Sequence, residues 1–204
     1  MILAIDTSTG TSVAIVDRAG SGVVRTSSDT RGHAERIGTF IAEVLAESGV
    51  RPSELDAVAV GMGPGPFTGL RVGIAAARTF AFGAGIPLLT VVSHDAVAFG
   101  EQDPVLVVTD ARRRELAFST YAAPGSDGLP NRTAGPELSP AAEIESTVTG
   151  YAGYRRIDAT TIDPASLGRL ALARLDAGAP DGPHEPVYLR APDVTLSAPK
   201  RVSQ

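Results

Sequence analysis

Residues 1–28 read MILAIDTSTGTSVAIVDRAGSGVVRTSS. Three runs rich in apolar and β-branched residues, MILAIDTS, TSVAIVDRAG and GVVRTSS, are separated by short turns at Gly10 and at residues 19–22. That spacing predicts an antiparallel three-strand meander. The period then changes. In HAERIGTFIAEVLAESG, residues 33–49, Ile37, Phe40, Ile41, Val44 and Leu45 recur at spacings of three and four, which predicts a helix with one apolar face, closed by Gly49. Pro52 and Ser53 open a short helical turn, DAVAVGMG (56–63) reads as a buried strand, residues 67–82 as a second helix and IPLLTVVS (86–93) as another strand. The order β-β-β-α-β-α-β predicts a ribonuclease-H-like lobe, with helices covering a mixed sheet.

The second half echoes the first. DPVLVVTDARRRELAFSTYAA (103–123) reads as strand, turn, strand; PAAEIEST (140–147) and PASLGRLALARLDAG (164–178) read as helices. Residues 124–140 hold four prolines and three glycines and are predicted to form a loop. The expected division is a first lobe at 1–100, a smaller second lobe at 101–192, and a tail at 193–204 that is poorly ordered without a partner.

Composition narrows the chemistry. A length of 204 residues, 43% of them hydrophobic, suits one domain or two small lobes with a sizeable core. The absence of cysteine excludes disulfides, thiolate metal sites and a cysteine nucleophile. No signal peptide is expected, and no apolar run approaches the roughly 20 residues of a membrane span, so a cytoplasmic protein without membrane contact is expected. The formal charge is -5, and Lys200 is the only lysine, which removes Schiff-base chemistry and a phosphate-loop lysine. Arg112, Arg113 and Arg114 form the one compact basic run, read first as a solvated turn or partner contact and second as a nucleic-acid contact.

The glycine-rich stretch GMGPGPFTGLRVG (61–73) invites comparison with a phosphate cradle, which aims successive backbone N–H groups at one anion. Pro64 and Pro66 remove donors inside it, and no lysine follows. Thr68 is a candidate helix cap. Beyond it Gly69, Gly73, Ala77 and Ala81 recur every four residues, a helix face with almost no side chain, while Leu70, Ile74 and Phe80 lie on other faces. Each interior glycine costs about 0.5–1 kcal/mol relative to alanine. Close approach of a neighbour is the usual compensation, and both packing inside the lobe and a helix–helix interface between subunits satisfy it.

GMGPGPFTGLRVGIAAARTFA (61–81) closely resembles the signature of the TsaB family of tRNA threonylcarbamoyladenosine biosynthesis proteins. ILAIDTST (2–9), RGHAERI (31–37), TDARRRELAFSTY (109–121) and EPVYLR (185–190) resemble the same family in the same order. The resemblance implies two ribonuclease-H-like lobes of the actin, sugar kinase and heat-shock ATPase superfamily fold. It implies a non-catalytic scaffold or activator subunit that binds the catalytic paralogue TsaD, with an ATPase, TsaE, joining the assembly. The complex installs threonylcarbamoyl on the adenosine beside the tRNA anticodon, and this chain meets tRNA indirectly. Isolated members form homodimers through the same helical surface. On this chain that surface is Gly69, Leu70, Gly73, Ile74, Ala77, Phe80 and Ala81 of the second helix, with His33, Ile37 and Ile41 of the first.

The residues themselves argue against catalysis. The catalytic paralogue uses histidines four apart, whereas Ile37 follows His33 here, and the chain has only His33, His94 and His184. No metal site is expected, and His33 reads as a capping or surface residue. Asp6, Thr7, Ser8 and Thr9 partly resemble the phosphate turn of the superfamily and form a candidate vestigial nucleotide contact, completed only at a subunit junction; no resident cofactor is expected. Asp6 alone reads as a turn-forming acid. Ser93, His94 and Asp95 are sequence neighbours and cannot converge as a triad, and Ser93 reads as a helix cap. The competing function is an autonomous ATPase or kinase of the same fold, centred on Asp6.

Overall fold

The computed structural model describes residues 1–30, 32–179 and 182–190. The expected tail at 193–204 lies outside them. Strands β1 (Ile2–Asp6), β2 (Thr11–Val16) and β3 (Gly22–Ser27) form the predicted antiparallel meander. β4 (Ala57–Gly61) pairs parallel to β1, and β5 (Leu88–Val91) parallel to β4, giving the sheet order β3-β2-β1-β4-β5.

Both faces of this sheet are covered, which is why β1, β2 and β4 are apolar almost throughout. Odd positions of β1 and β2 (Leu3, Ile5, Val13, Ile15), with Val58 and Val60 of β4, pack against α1 (His33–Ser48) and α2 (Phe67–Ala84) through Ile37, Val44, Leu70 and Ile74. The opposite face is built of smaller groups: Ile2, Ala4, Ala14, Val16, Ala57 and Ala59. Small side chains there let a helix lie close. α5 (Pro164–Asp176) does so through Leu167, Leu170 and Ala171. A Cβ on its Gly168 would stand 2.9 Å from Val16 Cγ2 and 3.0 Å from Ile2 Cγ2. The helix predicted at 164–178 is therefore present but covers the first sheet. Residues 164–176, expected in the second lobe, pack on the first sheet, because shape matching to those alanines, and not chain order, decides where α5 rests.

The second sheet contains β6 (Val105–Asp110), β7 (Glu115–Ala122), β8 (Asn131–Pro140) and β9 (Arg155–Asp158) in the order β8-β7-β6-β9. β6 is antiparallel to β7 and parallel to β9, as β1 is to β2 and β4. The two lobes thus repeat one topology, the ribonuclease-H-like arrangement. Leu106, Val108 and Phe118 face α4 (Ile144–Thr147), while Val105, Val107 and Tyr121 face α3 (Ser93–Ala98) through Ala98.

Three local expectations are corrected. Residues 131–140 of the predicted loop are strand β8, where an edge position and a register shift opposite Phe118 and Thr120 accommodate Pro136. The helix predicted at 140–147 is reduced to four residues behind a turn. Thr68 does not cap α2: Pro66 holds the cap position and Thr68 is an exposed helical residue.

Candidate functional site

The glycine-rich stretch meets the end of β1 in a closed joint. Asp6 is 1% exposed. Its Oδ1 accepts from Ser8 N at 2.8 Å and Ser8 Oγ at 2.6 Å, and its Oδ2 accepts from Ser93 Oγ at 2.6 Å. Ser93 Oγ in turn accepts from Gly63 N at 3.1 Å, and Ser93 N donates to Gly63 O at 2.7 Å. Ser93 is therefore not a helix cap, because its hydroxyl is committed to Asp6. A Cβ on Gly61 would overlap the Asp6 carboxylate, so the strand needs glycine there. Burial pushes the Asp6 carboxyl above its ordinary value, while the bonds from Ser8 and Ser93 and the neighbouring His33 oppose that shift. The turn role read from sequence is present, extended into a three-way tie between β1, the glycine-rich turn and α3.

The small-residue face of α2 lies under the β1–β2 turn. Thr7 Oγ1 donates to Gly69 O at 2.8 Å. A Cβ on Gly69 would stand 2.8 Å from Thr7 O and 3.1 Å from His33 Nε2, and one on Gly73 would overlap Thr7 Oγ1. Gly69, Leu70, Gly73, Ile74, Ala77 and Ala81 are all buried, as are His33 and Ile37. In the free chain these residues are covered by their own lobe, Gly69 and Gly73 because Thr7 presses on bare backbone there. Ile41 and Phe80 remain half-buried.

His33 is neither cap nor surface residue. Gly32 holds the cap position, and the buried ring accepts or donates at Nδ1 to Thr11 Oγ1 at 2.9 Å. Burial pulls its pKa down from the usual value, with Asp29 opposing and Arg36 and Arg112 adding to the drop. Of the nucleotide-contact residues, Asp6, Thr7 and Ser8 are engaged internally, while Thr9 Oγ1 is shielded from solvent and has no hydrogen-bond partner among the described residues.

The outward sides of the two helices are different. On α1 the exposed residues include Ala34, Gly38, Ala42 and Ala46, four apart; on α2 they include Ala75, Thr79, Phe82 and Gly83. Phe82 is 90% exposed. A Cβ added at Gly38 or Gly83 would meet nothing within 4 Å. Among the described residues these helical glycines have no packing reason. Sequence reasoning found the inner stripe because its period was unbroken, and passed over Ala34, Gly38, Ala42 and Ala46, which carry the same spacing.

Two further arrangements escaped the sequence reading. Residues 182–190 run over the glycine-rich turn and α2. Val187 N donates to Met62 O at 2.8 Å, the Tyr188 ring lies 4.8 Å from the Phe67 ring, Arg71 Nε donates to Tyr188 Oη at 3.2 Å, and Arg78 donates to His184 O at 3.1 Å. At the lobe junction His94 is fully buried between Ser119 Oγ and Thr109 Oγ1, each at 2.9 Å, and burial brings its pKa down to about 3. Asp95 accepts from Tyr121 Oη at 2.8 Å and Arg174 at 2.6 Å. Ser93, His94 and Asp95 thus face three different sets of partners and do not form a triad. Among the described residues no helix is long and apolar enough to cross a membrane.

A family model described as "TsaD: tRNA N6-adenosine threonylcarbamoyltransferase" matches residues 5–144. The chain is 38% identical over 201 residues to the uncharacterized protein Rv3421c of Mycobacterium tuberculosis, covering 94% of this chain and 92% of that one. It is 40% identical over 124 residues to the tRNA threonylcarbamoyladenosine biosynthesis protein TsaB of Haemophilus influenzae, covering 58% and 52%. A crystal structure of a Pseudomonas aeruginosa protein with similarity to peptidase YeaZ superposes with a TM-score of 0.73 at 26% identity, covering 93% and 99%. The lobe topology, the glycine-rich joint and these likenesses agree, and the chain belongs to the TsaD-type threonylcarbamoyltransferase family, in its TsaB branch.

Proposed function

We propose that this chain is a non-catalytic subunit in tRNA threonylcarbamoyladenosine biosynthesis that docks a TsaD-type catalytic subunit through the outward sides of α1 and α2. One observation carries the reading: outward helix sides of small residues with Phe82 90% exposed, and helical glycines that nothing among the described residues requires. Ile41 and Phe80, half-buried, pack against the core beneath the two helices. A second copy of this chain competes for the same face, giving a homodimer when the catalytic subunit is absent. A TsaE-type ATPase and tRNA join through the catalytic subunit, in a cytoplasmic assembly.

The chain holds no nucleotide by itself in this reading. Both oxygens of Asp6 are already bonded to Ser8 and Ser93, so a cation would have to break the joint that closes the turn. Nucleotide contact is confined to the subunit junction. The alternative, an autonomous ATPase or kinase, needs Asp6 released. Sedimentation of the chain with its catalytic paralogue tests the docking, with Phe82→Asp expected to abolish the heterodimer and unchanged association overturning the reading. Calorimetry with ATP and Mg²⁺ is expected to show no heat from the isolated chain. Micromolar binding lost in Asp6→Ala would favour the alternative.

A further inference from the structure

The hairpin between β6 and β7 turns at Arg112, Arg113 and Arg114, and all three have positive φ, at 61°, 54° and 61°. Non-glycine residues adopt this left-handed conformation at a cost, and glycine or asparagine are the usual solutions. Here three of the bulkiest cations occupy it in succession. The arch is held on both sides. Arg112 N donates to Asp110 Oδ1 at 3.0 Å, Glu115 N to Arg112 O at 3.0 Å, Ala141 N to Arg114 O at 2.8 Å, and Arg190 Nη1 to Ala111 O at 2.9 Å. Strain that is over-determined by its surroundings marks functional segments more often than structural ones.

The charges point the same way. All three arginines are exposed. Among the described residues no carboxylate pairs with the guanidinium of Arg112 or Arg114. Arg18, Arg25, Arg51, Arg155 and Arg156 each have one. The acids that flank the arch in sequence are engaged: Asp110 with the Arg112 backbone and Glu115 with Arg190. The charge of Arg112 reaches His33 at the start of α1, where it helps lower the ring pKa. The arch is therefore an exposed cationic point on a chain of net charge -5.

We propose that Arg112 and Arg114 of this arch contact the sugar-phosphate backbone of tRNA directly. This rests on the role in tRNA modification argued above and adds a contact made by this chain itself. A guanidinium offers a planar fork that matches phosphate oxygens. Arg112 and Arg114, exposed and two positions apart on the arch, can each meet a separate phosphate. Contacts of this kind set position and carry no base sequence.

The test uses Arg112→Gly with Arg114→Gly in the full chain, because glycine accepts positive φ and keeps the arch while removing the charge. Fluorescence anisotropy of a labelled tRNA transcript is measured with the chain alone and bound to its catalytic partner, between 50 and 200 mM salt. The double variant is expected to melt no lower than the parent, to bind tRNA about tenfold more weakly in both settings, and to lose about two units of the log–log salt slope. Arg112→Lys with Arg114→Lys is expected to retain the slope. Unchanged tRNA affinity and slope overturn the proposal. So does loss of catalytic-subunit association with tRNA affinity intact, which would make the arch a protein contact. Phe82→Asp separates the two readings: it removes association and leaves the isolated chain's tRNA affinity untouched.

Discussion

Gly73 on α2 and Gly38 on α1 are both helical glycines with small residues four positions away, yet their surroundings are opposite. Gly73 is pressed against Thr7, so that a Cβ would overlap Thr7 Oγ1; Gly38 faces open space. The first is explained entirely inside the chain. The second has the same propensity cost with nothing here to offset it. A bare helix stripe therefore does not by itself declare a subunit interface. What decides is whether a methyl group placed on it would collide, and with which atoms.

The largest expected effect lies on the buried side. Gly73→Leu drives side-chain atoms into the β1–β2 turn and displaces Thr7 from Gly69 O. Overpacking of this kind costs about 1–3 kcal/mol, and loss of the buried hydrogen bond adds about 1 kcal/mol. Urea unfolding is expected to show a drop of about 3 kcal/mol; a drop below about 0.5 kcal/mol would mean the turn yields and the comparison fails. Next comes Phe82→Asp on the exposed side. A large exposed aromatic at an interface centre commonly contributes about 2 kcal/mol or more. Association should weaken at least about thirtyfold by sedimentation, with the urea midpoint unmoved.

Acid probes the buried side by another route. The His94 ring is held near pKa 3 between Ser119 and Thr109, against an unfolded value near 6.5. Between those values the unfolded chain binds the extra proton, so stability is complete above about pH 6.5 and falls as pH drops toward 3, by about 1.4 kcal/mol per unit. His33, whose pKa burial also lowers, acts in the same direction. Asp6, with its raised pKa, acts in the opposite sense, above the ordinary carboxylate range. His94→Gln is expected to flatten the pH dependence of the urea midpoint between 6 and 4. An unchanged slope would show that the imidazole is not the titrating group.

How much of this was legible in sequence follows from the kind of physics involved. β1, β2 and β4 were readable because burial on both faces leaves continuous apolar runs, and α1, α2 and α5 because their apolar residues keep helical spacing. β8 was hidden by prolines that an edge strand tolerates, and β9, with the sequence RRID, by its polarity. The resting place of α5 depends on Ala4, Ala14, Ala57 and Ala59 acting together, which no local window contains. The site divides likewise. The spacing of Gly69 and Gly73 was visible, but only the position of Thr7 says which way they face, and the bond from Ser93 to Asp6 joins residues 87 apart.

The smallest prediction bears most directly on the comparison. If Gly38 has no packing partner in the free chain, Gly38→Ala adds only a methyl group in open space and removes the backbone entropy that glycine loses in a helix. The free chain should become more stable by about 0.5–1 kcal/mol. Gly73→Ala, the same chemical change, should destabilise it, because its methyl overlaps Thr7. Opposite signs for one substitution at two helical glycines would separate helix propensity from packing within a single molecule. If the catalytic subunit packs closely on α1, Gly38→Ala should also weaken association while stabilising the free chain. A substitution that improves the fold and harms the complex identifies what the glycine is for, since neither helix propensity nor core packing in the free chain predicts that pair of results.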